Sequence, residues 1–523
     1  MEASRGLFGI ADWFVIIAYS LGMVAVGVVS SRRQDDPEDY FLGGRSMPTW
    51  AVALSVLATS LSAATFIGAP QIAYAGDLTY LILNLGGIIA AFLVGFVFIP
   101  PLYRAGTITI YGYLGKRFGQ SSTVAASLMF LLGRLLASGS RLFMAAIAFS
   151  MVLYGDTTNR HLILAILILG GIGTLYTVCG GIRAVIWTDT IQIAVVVFAA
   201  VLSVYLLLRA IPLSVGEIVD ALRNADGVDK LRIVDTRFEW GLPFTLWTGL
   251  IASTFVSTQS YGVDQDLAQR MLTTKSAWRS GVAMVSSTLL GIPVVCLFLL
   301  IGLLLSIYYG RPDLMGDAMP LDVIDDTKRI YPQFLLNHLP TGLRGLAMAG
   351  VFAAAMSSFD SAINAMASTA IADLYFPWRA MKRRKRGAVA EVREVGDQDS
   401  GLEAPRLAVA LMGLLLTCFA VLAVFQYAAA GDTLIGYALG VMAFAQAPLL
   451  GVFSAALFTR RGNAASVIAA LVVGIVVVLL LQPYMLQNWL DFELAWPWWT
   501  VVAGPMSFLV CSAGAPRGAE STT

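Results

Sequence analysis

Thirteen apolar runs follow one another along the chain, each long enough to cross a bilayer. The first, Ala11 to Ser30, has no basic region ahead of it, is too long for a signal peptide and ends at Arg32 and Arg33, so it reads as a spanning helix. The others fall near 48–74, 78–101, 122–154, 161–180, 184–209, 242–268, 281–309, 341–373, 406–428, 432–458, 463–483 and 496–513. Backbone in hydrocarbon must satisfy its own polar groups, so these runs predict an all-α integral membrane protein of about 13 transmembrane helices. Only 13% of the 523 residues are charged, against about 25% in soluble proteins, which agrees with that class. A net charge of +1, with basic residues dispersed among loops, argues against nucleic-acid binding. Cys179, Cys296, Cys418 and Cys511 show no paired spacing, and His161 and His338 lie at segment edges. No disulfide framework, zinc site or histidine-based catalysis is expected from them.

The basic residues also set the orientation. With the N-terminus outside, the inner loops and tail carry 21 Lys and Arg and the outer side 11, nine of these in the long connections 209–242 and 306–344, which report poorly on topology. The expectation is a multi-pass protein of the cytoplasmic membrane, N-terminus out and C-terminus in. The run Lys382–Arg383–Arg384–Lys385–Arg386 reads as a topology anchor near anionic lipid, and 388–403 as a loose polar loop.

One run departs from ordinary lipid-facing sequence. The stretch Gly345 to Tyr375, in span 9, carries Ser357, Ser358, Asp360, Ser361, Asn364 and Ser368 through its middle, so it faces a site rather than acyl chains. At 100° per residue Ala354, Ser357, Ser358, Ser361, Ala365 and Ser368 share a stripe about 80° wide, with Asp360 and Asn364 on its flank. Hydroxyl oxygens and a carboxylate suit a hard cation such as Na⁺, and neither thiolate nor imidazole is at hand for a transition metal. Taken singly, Ser368 or Ala365 is explained as well by close helix packing.

Two other runs are interrupted. Span 2 reads SVLATSLSAATFIGAP and span 7 reads STFVSTQSYGVDQD, each with small and hydroxyl residues followed by glycine. They stand five spans apart, the spacing expected if spans 2–6 and 7–11 are inverted repeats whose first helices break at the membrane midplane. This divides the chain into an extra helix and inner loop at 1–47, a first repeat at 48–209, an outer loop at 210–241, a second repeat at 242–458 and extra helices at 459–523.

The loop DDPEDYFLGGRSMPTW, the GGIRAVIWTDTIQ opening of span 6, the YGVDQDLAQR exit of span 7 and the AAAMSSFDSAINAMAS core of span 9 together resemble the sodium/solute symporter family, over about residues 35 to 460. The family includes sodium/glucose cotransporters, proline permeases, sialic acid transporters and monocarboxylate transporters. The resemblance implies the leucine-transporter fold, a 5+5 inverted repeat with extra helices at both ends, working by alternating access with Na⁺ as the coupling ion. It also implies a sodium site formed by the carbonyls of Ala58, Leu61 and Ala354 and the hydroxyls of Ser357 and Ser358. Some members have a second sodium site, which here would use Asp189 of the WTD motif with Asp360 and Ser361. Aspartate at 360, where serine is common, is a departure that would strengthen a cation site, shift it toward protons or pair it with an arginine.

Arg134 and Arg141 stand seven residues apart on one face of span 4, in GRLLASGSRLF, which resembles elements of proline permeases. A buried guanidinium suits a carboxylate. Two readings of Arg141 stand side by side: it holds the carboxylate of an organic acid or amino acid, or it pairs with Asp360 or Asp189. Arg134 reads as structural. The remaining cavity candidates are Ser60, Ser62 and Thr65 at the first break, Tyr80 and Asn84 on span 3, Ser257, Ser260 and Tyr261 at the second break, and Gln446 on span 11. Sugar-binding members carry an acidic or amide pair where this chain has Ala64 and Thr65, which disfavours a hexose. The function expected is Na⁺-coupled import of a small carboxylate-bearing solute. The alternatives are a proton-coupled transporter using Asp360 or Asp189 and, remotely, a membrane sensor; no catalytic set points to an enzyme.

Overall fold

The computed structural model describes residues 8–30, 36–61, 63–224, 227, 229–316, 327, 330–385, 402–430, 433–482, 485–486 and 491–516, and no strand occurs among them. Each predicted run corresponds to helix. Span 1 is Ile10–Ser30, span 3 runs unbroken from Thr79 to Arg104, span 4 is Gln120–Tyr154, and span 8 is Ala277–Tyr308. Spans 10 to 13 are Glu403–Ala430, Thr433–Phe458, Ala464–Leu480 and Pro497–Ala513.

Seven described helices are long and apolar enough to cross a membrane alone, or eight with one bent pair taken as a single span. Spans 11 to 13 fall short of that length in their described apolar parts, and two further differences lie in how helices join and break. Spans 5 and 6 run together as Asn159–Ala210, 52 residues interrupted only where Gly181 takes φ 54° and ψ −153°. A side chain there would be strained by that φ and would also strike the Tyr40 carbonyl at 2.6 Å. Span 7 is divided too, into helix at Ser253–Gly262 and Gln265–Leu272.

Span 9 lies at the centre. It forms helix Leu343–Thr369, passes through a π-helical turn at Ala370–Tyr375 and continues as Phe376–Lys385. Every residue from Ala347 to Thr369 is buried, against helices of spans 1, 4, 5–6 and 10. A helix enclosed on all sides needs small residues so that its neighbours can approach, which accounts for its alanines and serines. Its start is held by span 1, where Asp12 Oδ1 accepts the amides of Gly342 at 2.7 Å and Gly345 at 2.8 Å. On the connection between spans 6 and 7, hydrogen bonds from the Arg237 guanidinium and amide hold the Asp235 carboxyl down to about 2, so this anchor persists until strongly acid pH.

Candidate ion and solute site

Span 2 breaks where the sequence is richest in small and hydroxyl residues. Helix Thr49–Ser60 stops at Leu61, which is extended at φ −87° and ψ 96°, and helix resumes at Ala63 with a bend of 59°. The carbonyls of the last turn, Ala58 among them, therefore meet no continuing helical ladder. Span 9 passes beside this end, with Thr59 Oγ1 3.4 Å from Ser361 Oγ, one turn along from Ser357.

Among the described residues the hydroxyls of Ser357 and Ser358 and Asp189 Oδ1 are buried without a well-formed hydrogen bond, the Ser357 side chain approaching the Asp189 carboxylate. A buried polar group left unpaired costs roughly 1–3 kcal/mol. Hydroxyl and carboxylate oxygens of this kind are the donors a dehydrated Na⁺ takes, so the chemistry of the residues present fits the ion. Ala58, Leu61 and Ala354, the expected carbonyl donors, are buried as well.

Beside this region lies a buried charge network that the sequence did not reveal. Arg270, from the short helix after the break of span 7, is 1% exposed. Its Nε donates to Ser55 Oγ at 2.9 Å, and its Nη1 to the Asp266 carbonyl at 2.7 Å and carboxylate at 2.8 Å. Its Nη2 donates to Asp189 Oδ2 at 3.0 Å and to Ser361 Oγ. All five guanidinium N–H groups are thus engaged. Asp189 Oδ2 also accepts from Ser55 Oγ at 2.5 Å. Asp266 joins this group to Arg134, whose Nη2 lies 2.7 Å from both Asp264 oxygens and from Asp266 Oδ2. Asp360 is bound separately, accepting from the Tyr176 hydroxyl at 2.6 Å and the Ser361 amide at 2.6 Å.

The expected arginine partner of Asp189 therefore exists, but it is Arg270 of span 7 rather than Arg141. Arg134 is ion-paired with Asp264 and Asp266, in keeping with a structural role, and also borders the main cavity. Arg270 had looked like one of the inner-loop basic residues, since its position after DQD gave no sign that it folds back into the membrane.

A cavity of about 340 Å³ opens next to the broken spans. Ser60, Thr65, Tyr80, Asn84, Arg141, Ser257, Ser260 and Tyr261 line it, so the two breaks and span 3 converge as the sequence predicts. Ser62 lies outside the described residues. Gln446 is not on this wall: its amide donates to Asp264 Oδ2 and borders a small adjoining cavity with Arg134, because the carboxylate of Asp264 captures it. Trp496 and Pro497, at the start of span 13, also form part of the main wall. They are not among the expected cavity residues, because the expected repeats end before span 13.

A helix broken beside unpaired buried oxygens and a cavity of mixed polar and apolar lining, inside an all-helical membrane protein, defines a cation-coupled secondary transporter of the leucine-transporter fold. The chain belongs to the sodium:solute symporter family, whose sequence model matches residues 40–474. It is similar to a sodium/sialic acid symporter of Proteus mirabilis, with 28% identity over 90% of this chain and 89% of that one. A sodium/sialic acid symporter of Aliivibrio fischeri is 28% identical over 92% and 88% of the two chains, and the human sodium/iodide cotransporter 27% over 90% and 69%. Among solved structures, a substrate-bound, outward-open Na⁺-coupled sialic acid symporter superposes with a TM-score of 0.80 and 26% identity, covering 97% of this chain and 99% of that one. A nucleobase-cation-symport-1 family transporter shares the fold at a TM-score of 0.52 and 19% identity, over 92% and 94% of the two chains. The protein is a multi-pass Na⁺-coupled symporter of a small solute.

Proposed function

We propose that this symporter imports a carboxylate-bearing organic anion with one Na⁺ per cycle, across the cytoplasmic membrane, with its N-terminus outside and C-terminus inside. The observation that carries the reading is the pairing of two neighbouring environments: unpaired oxygens of Ser357, Ser358 and Asp189 for the cation, and a cavity wall bearing Arg141 for the anion. In this reading the carbonyls of Ala58, Leu61 and Ala354 and the two serine hydroxyls hold Na⁺, and Arg141 forms a two-pronged contact with the solute carboxylate. Similar proteins named for sialic acid, iodide and monocarboxylates support an anion. The cavity suits a small ligand, being near the lower end of the usual range of about 300–1,000 Å³.

Tyr80 starts span 3 and Trp496 precedes span 13, ends that the proposed topology puts outside, so the cavity is read as outward-facing. Asp189 and Asp360, the candidates for a proton-carrying group, are engaged by Arg270 and Tyr176, which favours sodium coupling. One Na⁺ moving through 100 mV releases about 2.3 kcal/mol, sufficient for roughly fifty-fold accumulation of a neutral or zwitterionic solute. With a monoanion that electrical term cancels and the sodium concentration gradient alone drives uptake.

Uptake of radiolabelled sialic acid and short monocarboxylates into proteoliposomes, with a Na⁺ gradient and with K⁺ in its place, tests the coupling. Uptake should require the Na⁺ gradient, and equal rates in both would end the reading. Arg141→Gln is expected to raise the KM for the transported anion about a hundredfold, the loss of roughly 3 kcal/mol of charge-assisted hydrogen bonding. Sodium-induced thermal stabilisation should remain, and an unchanged KM would remove Arg141 from the solute site.

A further inference from the structure

Where span 9 leaves the bilayer, the structure carries a surface that ion and solute transport does not use. The helical run from Leu343 to Lys385 would extend roughly 60 Å at 1.5 Å per residue, about twice the hydrocarbon thickness, so its last turns emerge at the membrane surface. At that end the π-helical turn is pinned from the side. Asp373 is buried, and its carboxylate accepts from Thr109 Oγ1 at 2.6 and 2.8 Å and from Ser127 Oγ at 2.8 Å. With its charge satisfied there, Asp373 forms the floor of a groove of about 470 Å³, walled by Val124, Leu374, Pro377, Trp378 and Met381.

Trp378 and Met381 remain more than half exposed, while the basic residues Arg379, Lys382 and Arg383 follow on the same helix. The ammonium of Lys382 lies 5.0 Å from the centre of the Trp378 ring. An apolar groove at the membrane surface, with an indole at its lip and a cationic cluster beyond, matches the two halves of one molecule.

We propose that this groove is a specific binding site for an anionic phospholipid of the inner leaflet. Its headgroup phosphate is held by Arg379, Lys382 and Arg383, and an acyl chain lies against Trp378, Met381 and Val124. A zwitterionic lipid offers the same chain with no net charge, so the basic cluster is what discriminates. Because the lipid would sit on the helix that carries Ser357 and Ser358, an effect on transport rate would rest on the sodium reading above. Binding itself would not.

Native mass spectrometry of the full-length protein, titrated in detergent with phosphatidylglycerol, phosphatidylcholine or free glycerol phosphate, tests the assignment. Phosphatidylglycerol should bind at least tenfold more tightly than phosphatidylcholine, and glycerol phosphate should not bind. The triple substitution Arg379→Gln, Lys382→Gln and Arg383→Gln, at surface positions, should abolish that preference, and Trp378→Ala should weaken phosphatidylglycerol several-fold while keeping it. Retention of the preference by the triple variant, or equal binding of the two lipids by the unaltered protein, overturns the site. Glycerol phosphate binding as tightly as the lipid would assign the cluster to a soluble phosphate and overturn it as well.

Discussion

The double substitution Ser357→Ala, Ser358→Ala is expected to raise the sodium concentration for half-maximal uptake at least a hundredfold. Both hydroxyls are buried on the central helix, and among the described residues neither is tied down beyond the approach of Ser357 to the Asp189 carboxylate, so the protein alone holds them weakly. An oxygen directed at a cation contributes roughly 1.5–3 kcal/mol, and two of them together therefore account for a factor of a hundred or more. Stability should change in the opposite sense from an ordinary core deletion. Removing two unpaired buried hydroxyls relieves a desolvation penalty, so the variant without sodium should melt at or above the parent temperature, while added Na⁺ should no longer raise it. Thermal denaturation with Na⁺ titrated against K⁺ reads both quantities. A sodium response equal to that of the parent would move the ion site elsewhere.

What the sequence disclosed and what it withheld divide along a physical line. Helices in hydrocarbon are fixed by local composition, so the apolar runs were legible, as was the break of span 2, where a run of small and hydroxyl residues ends at Leu61 in extended backbone. The oxygen-bearing stripe was legible by angle alone because a helix has one period, although burial does not single it out, since the whole of Ala347–Thr369 is enclosed. The cavity was largely legible for the same reason, its wall coming from the two breaks and span 3. Long-range pairing was not. Nothing in YGVDQDLAQR indicates that Arg270 reaches Ser55, Asp189 and Ser361, positions 215, 81 and 91 residues away in sequence. Gln446 has the composition of a cavity residue, yet it is drawn to Asp264, a partner that only the fold supplies. Trp496 reaches the cavity from a helix outside the repeats, and no periodicity would announce that.

Arg270→Gln is expected to be the most damaging single substitution in the ion region. The guanidinium is saturated, with its five donors on Ser55, Asp189, Ser361 and the backbone and side chain of Asp266, and exposure is 1%. Removing it leaves Asp189 without its cation and Asp266 with Arg134 alone, with both carboxylates almost fully buried. Breaking a buried pair by deleting one partner typically costs about 3–5 kcal/mol. Most of that cost belongs to the abandoned carboxylate, so adding Asp189→Asn should restore much of the folded yield, and a double-mutant cycle should give a strong coupling between the two positions. The same geometry bears on stoichiometry. A second sodium site at Asp189 would need the oxygens that Arg270 already holds, Asp189 Oδ2 and Ser361 Oγ, so the tethered guanidinium stands where a second ion would bind. Sodium activation of uptake by the parent protein should therefore follow a Hill coefficient near one. In Arg270→Gln protein that folds, Asp189 Oδ2 and Ser361 Oγ are released to a second sodium, and the Na⁺-induced thermal shift should grow beyond that of the parent. A Hill coefficient near two in the parent, or additivity of the substitutions at 270 and 189, would show that Arg270 does not replace an ion.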